Sequence, residues 1–179
     1  IRLFLFLFFT RIRIKKKDQR YEKMKNKWGK DQYRQTIINF QFQGFCQMML
    51  SFSFFCVFTC PQVRSVDVFY LGYVLVFLIG FIGESLADFQ LFRFKLTNTK
   101  LNVFYKEGLF YYMRRPNYFF DWISWIGISL FSLHFKYGIV ALFSIVFLVF
   151  IFKKITGPIT EKASLKKYGN EYYDYIANT

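Results

Sequence analysis

The sequence predicts an all-α protein, a multi-pass transmembrane helical bundle of about four to five spans with a C-terminal interfacial helix. Two observations predict it. Of 179 residues 54% are hydrophobic and 24% aromatic, an apolar load that excludes a disordered basic chain, which needs low hydrophobicity beside its charge. The formal net charge of +14, from 25 Lys and Arg against 11 Asp and Glu, is also segregated from the apolar runs along the chain. A soluble nucleic-acid-binding domain has no use for long uncharged apolar runs, so the basic balance implies no nucleic-acid partner.

The elements follow in order. Ile1 to Thr10 has the look of the end of an apolar segment, and a chain starting on Ile is expected to be the C-terminal part of a longer fold with a truncated N-terminus. Thr36 to Thr59 carries no charge over 24 positions, long enough to cross a hydrocarbon layer about 30 Å thick at about 1.5 Å per residue. Val68 to Gly83 is charge-free for 16 residues and continues with helical periodicity through Glu84, Asp88 and Gln90. Phe119 to Leu133, which contains Asp121, and the uncharged Tyr137 to Phe152 predict a helical hairpin turning at His134 to Lys136. From Lys153 onward polar and aromatic residues mix, as suits a segment lying on a membrane surface. No Pro/Gly-rich linker or repeat divides the chain, so residues 1–179 are expected to form a single membrane domain.

Charge sets the expected orientation. Arg11 to Arg34 holds 11 basic residues, Arg93 to Arg115 holds 6 and the tail from Lys153 holds 5, so 22 of the 25 fall in alternate connecting segments. Those segments are expected in the cytosol, facing a lipid bilayer as the partner. Cys46, Cys56 and Cys60 make no CxxC pair, and His134 has no partner at ligand spacing, so no metal site is expected.

Two clusters can carry chemistry, because charge within or beside a span is costly and usually serves a cavity or a partner. Glu84, Asp88 and Lys95 stand at i, i+4 and i+11, on one helix face. They form either a polar face for ribose, amide and phosphate groups or a solvated helix end with its carboxylates paired to Arg93 and Lys95. In the second cluster Pro116 starts a helix after Arg114 and Arg115, leaving Asn117, Asp121 and Trp125 on one face. Two guanidinium groups beside a helix N-terminus suit an anion; equally, they suit positive-inside anchors with tryptophans in the interfacial belt.

Four blocks carry a family resemblance: Asp18-x-Arg20-Tyr21-x-x-Met24-x-x-x-Trp28-Gly29; Gly80 through Glu84, Ala87-Asp88, Gln90 and Phe94-Lys95; Gly108-Leu109 through Arg114-Arg115-Pro116-Asn117-Tyr118 to Asp121; and Glu161 with Tyr168-Gly169, Tyr172 and Tyr175. With this order and internal spacing the chain resembles the steroid 5-alpha-reductase-like integral membrane family, in particular its domain of unknown function 1295 group, related to sterol reductases and isoprenylcysteine carboxyl methyltransferases. The resemblance implies a membrane-embedded site open to the cytosol, an endoplasmic reticulum location, and NADPH held by Asp88, Lys95, Arg114, Arg115, Asn117, Tyr118, Asp121, Trp125 and Glu161. Asp121 and Tyr118 are the candidate catalytic residues.

The implied activity is NADPH-dependent reduction of a double bond in a hydrophobic lipid or sterol-like substrate. The alternatives are an isoprenylcysteine-type carboxyl methyltransferase using S-adenosylmethionine and a catalytically degenerate or truncated membrane protein. Three departures bear on the choice: Arg115 stands where the family has His, Asp121 where it has Glu, and Phe120 where it has Gly. That last ring is expected to intrude where a backbone approaches the cofactor. Substrate and oligomeric state are not encoded in any motif.

Overall fold

A computed structural model describes residue 8 and residues 28–59, 68–98 and 103–179. The apolar start of the chain apart from Phe8, the Asp18 to Met24 part of the first resemblance block, Cys60 and Arg64 lie outside the described residues. Among the described residues every regular element is helical. Helix α1 is Gln32–Thr59, preceded by a 3-10 turn at Gly29–Asp31. Helix α2 is Val68–Thr97, α3 the single turn Leu109–Tyr112, and α4 Pro116–Ser132. A 3-10 turn at Gly138–Ala141 leads into α5, Leu142–Phe150, which continues through a π-helical stretch, Ile151–Thr156, into α6, Gly157–Tyr168. Beyond a break at Gly169 comes α7, Asn170–Asn178.

Two of these helices are long and apolar enough to cross a membrane, α2 and the continuous helical stretch Gly138–Tyr168. Only 11% and 22% of their most apolar windows are buried within the protein, so their apolar surface faces outward, unlike that of core helices in a soluble bundle. Val68 is 81% and Leu75 59% exposed on α2, an arrangement that fits lipid-bilayer association. Helix α1 has the length, but Asn39, Gln41, Gln43 and Gln47 dilute its apolar character. Helix α4 has 17 residues, about 26 Å at 1.5 Å per residue.

Internal contacts divide the chain into Ile1–Gln47 and Met48–Thr179. In the first unit the described elements are the 3-10 turn and the opening half of α1. In the second, α2 and α4 run antiparallel and pack most extensively. Their seam is made of small residues. Gly80, Gly83 and Ala87 of α2 are buried opposite Ser124 and Gly127 of α4. A Cβ on Gly80 would come within 2.4 Å of the Ser124 backbone N, and one on Gly83 within 2.3 Å of the Phe120 ring. Small residues allow this approach, and dispersion between close helices then supplies the association that water would otherwise drive.

A second contact set ties the end of α1 to α4 and α5. Ser53, Ser129, Ser132 and Ser144 are each 0% exposed. Ser53 Oγ donates to Ser144 Oγ at 3.1 Å and lies 3.5 Å from Ser129 Oγ, while Ser132 Oγ donates to the Ser53 carbonyl at 3.1 Å. Each buried hydroxyl thus finds a partner on another helix or on its own backbone, as burial requires.

Candidate functional site

The site grows from a tie between α2 and the loop that follows it. Gly108 has φ +61°, and a Cβ there would lie 2.7 Å from Gln90 Oε1. Glycine therefore lets the Leu109 backbone N–H reach Gln90 Oε1, to which it donates at 3.1 Å. That bond anchors α3, whose Phe110 is buried against Tyr105 at 5.4 Å between ring centroids. After α3 the backbone extends through Met113, and Arg115 (φ −144°, ψ 68°) holds the position before α4. Pro116 opens α4, where its fixed φ suits the first turn and its missing N–H costs no helical bond. The two arginines thus sit on a short non-helical strap between two helices.

Their side chains find different partners. Arg114 Nη1 donates to Glu161 Oε1 of α6 at 3.1 Å, with both side chains more than a third exposed. The Arg115 guanidinium lies over the Tyr118 ring, 5.5 Å from its centroid, within the range of a cation–π contact. Tyr118 in turn stacks on Phe152, 5.1 Å away at 13° between planes. Phe152 belongs to the π-helical stretch, where Gly157 N–H donates to the Phe152 carbonyl across five residues. Pro158 gives this widening a reason: it has no N–H for the Lys154 carbonyl and its ring would crowd that oxygen in a regular α-turn. The wider turn places the Phe152 ring under Tyr118. Such stretches occur often at functional sites.

The C-terminal helices close over the strap. Phe104, in the loop before α3, meets the rings of Tyr168, Tyr172 and Tyr175 at 5.5, 5.6 and 5.2 Å. Tyr175 Oη donates to the Phe110 carbonyl. Burial, together with Tyr172, pushes the Tyr175 phenol above its ordinary pKa, against the opposing pull of the Arg114 and Arg115 charges and a hydrogen bond with Thr179. The phenol therefore stays protonated through the neutral range. A cavity of about 590 Å³ opens beside it, lined by Phe104, Lys106, Tyr111, Glu171, Asp174 and Tyr175 among others. Its size falls within the range of cofactor sites, roughly 300 to 1,000 Å³.

The structure brings Arg114, Arg115, Tyr118 and Glu161 together and adds Phe152, Tyr175 and Gln90. Asn117 and Asp121 stand half-buried one turn apart on α4, and Asp88 and Lys95 two turns apart on the far half of α2. Trp125 makes its ring contact with Phe54 of α1, at 5.9 Å and 70°. Phe120 packs its ring onto Gly83 in the α2–α4 seam, so the missing glycine of the motif is matched by one on the opposing helix. Just before and within α4, Arg115 Nε and Trp122 Nε1 are buried and have no hydrogen-bond partner among the described residues.

A family model described as protein of unknown function, DUF1295, matches residues 1–179. Comparison with curated proteins and with solved structures gives no match.

Proposed function

The chain belongs to the DUF1295 family of proteins of unknown function, and we propose that it is an integral membrane reductase that uses NADPH to reduce a double bond in a lipid or sterol-like substrate. The observation that carries this reading is the strap bearing Arg114 and Arg115, with Arg115 over the Tyr118–Phe152 stack; Tyr111 and Tyr112, just before the strap, line the cavity, while the two arginines do not. The orphaned Arg115 Nε and Trp122 Nε1 test the fit. Buried donors without acceptors cost about 1 to 3 kcal/mol each, and oxygen atoms of a phosphate, ribose or carboxamide would relieve that cost.

In this reading Arg114 and Arg115 bind the anionic part of the cofactor, and Glu161 keeps Arg114 from folding away. Tyr118, backed by Phe152, offers a flat face for a ring. The Asn117 amide can donate and accept hydrogen bonds and the Asp121 carboxylate can accept them one helical turn along, and Asp88 and Lys95 complete the polar face from α2. Tyr118 and Asp121 are the candidates for holding the proton that the product requires. The bound cofactor supplies the hydride. Trp125, turned to Phe54, stiffens α4 below the site. The proposal includes a bundle of four to five spans, basic segments in the cytosol, α6 and α7 at the interface, and the endoplasmic reticulum as the membrane.

The test is NADPH fluorescence with the detergent-purified protein. Saturable quenching or a spectral shift is expected, lost in Arg115→Ala and Asn117→Ala and weakened in Arg115→Lys, which keeps the charge but not the planar fork. Binding of S-adenosylmethionine with no NADPH response would overturn the reading in favour of a methyltransferase. Binding of neither cofactor by a folded protein would point to a degenerate one.

A further inference from the structure

We propose that a second, apolar cavity, between α2, α4 and the last turns of α1, binds one hydrocarbon chain of a membrane lipid. The cavity holds about 340 Å³ and is lined by Phe54, Tyr73, Val74, Phe77, Ile128 and Phe131, with Gly127 at its floor. Its wall is almost wholly carbon. Water needs two to four polar partners to settle in a cavity, so this one stays dry. It has more than twice the volume of the roughly 150 Å³ apolar cavity that takes up benzene.

The rings around it are held by partners outside it. Phe131 lies 5.1 Å from Tyr70 and 5.7 Å from Phe135, Phe77 lies 5.9 Å from Phe81, and Phe54 meets the edge of Trp125. The floor is equally fixed, since a Cβ on Gly127 would come within 2.6 Å of the Phe77 backbone N. The space is therefore preformed and does not close by collapse. Phe54 of the lining is 41% exposed, and Leu71 and Leu78, one turn before and after the lining residue Val74 on α2, are exposed as well. The mouth thus opens onto the apolar outer surface of a helix long enough to cross a bilayer. The molecules that meet such a mouth are lipid chains, and a flexible chain fills an irregular slot of this size without a polar cost.

The inference rests on the chain being membrane-embedded and not on NADPH, so either claim can fail alone. The sequence supplies a reporter. With Trp28→Phe and Trp122→Phe, Trp125 is the one remaining tryptophan, in contact with the cavity wall through Phe54. In detergent without bromine, a fatty acid brominated at mid-chain is expected to quench Trp125 saturably at one chain per protein. The unbrominated acid should reverse the quenching. Ile128→Phe, which fills the slot, should abolish the saturable component; should that larger ring impair folding, Val74→Leu, which fills less of the slot, should weaken it. Quenching that rises in proportion to the micellar bromine without saturating, or that survives both filling variants, would overturn the proposal. So would reversal by a rigid sterol but not by the fatty acid.

Discussion

The α2–α4 seam and the arginine strap that precedes α4 are built on opposite terms. In the seam, Gly80, Gly83 and Gly127 leave no room for another carbon, and the structure is fixed by what is missing. On the strap, Arg114, Arg115, Tyr118 and Glu161 are half-exposed and joined by contacts that water can partly replace. The first region has a steep cost for any change, and the second a shallow one. Stability and the ligand chemistry proposed for the strap are therefore expected to be separable in this protein.

The largest effect that could break this contrast lies in the seam. In Gly80→Val the new side chain would meet the backbone N and carbonyl groups of Ser124 and Phe120, which cannot step aside as a flexible side chain would. Overpacking of this kind costs about 3 kcal/mol. A sharp fall in melting temperature and loss of a monodisperse peak in detergent are the expected outcomes. A near-native melt would mean that the two helices are not held at this spacing.

An intermediate effect comes from the serine cluster. Ser53→Ala removes one hydroxyl from contacts with Ser129 and Ser144. Interhelical hydrogen bonds in membrane proteins average about 0.6 kcal/mol, so a loss of roughly that size is expected in a denaturant titration. Ser144 retains carbonyl acceptors at Met49 and Leu50, at 3.5 and 3.4 Å, which limits the damage. A loss as large as that at Gly80 would show that polar glue, rather than close packing, governs the bundle.

The helices themselves were legible in the sequence, because charge-free runs and Pro116 mark them directly. What those runs concealed was the difference between lacking charge and being apolar. The longest of them, in α1, carries four amide side chains between Asn39 and Gln47, and it does not meet the measure that α2 does. Pairing across the chain was also hidden. Phe120 read alone is an obstruction and Gly83 read alone is one small residue; their fit is a relation between positions far apart, which no local pattern encodes. The same holds for Gln90 with Leu109 N–H and for Tyr118 with Phe152. The π-helical stretch had a signal in Pro158, which forbids a regular turn, but not one that identified the ring it would aim.

The smallest effect isolates the strap's electrostatics through Tyr175. Burial raises its pKa above the usual 10.0 while Arg114 and Arg115 oppose the rise. A raised pKa means the folded protein holds this proton more tightly than the unfolded chain does. The associated stabilisation is complete below pH 10 and is lost as pH climbs through the folded-state value. In an ultraviolet titration of phenolate, wild type minus Tyr175→Phe should show one tyrosine titrating above the ordinary range. Replacing Arg114 with Ala removes one opposing charge and should move that step higher still, with little change in melting temperature, since an ion pair this exposed contributes about 1 kcal/mol or less. A step that moved lower in Arg114→Ala would mean that the arginine's main role is to hold α6 and α7 over the phenol, so that losing it uncovers Tyr175. The strap would then be a structural latch like the seam, and the separation of stability from ligand chemistry would fail where it matters most.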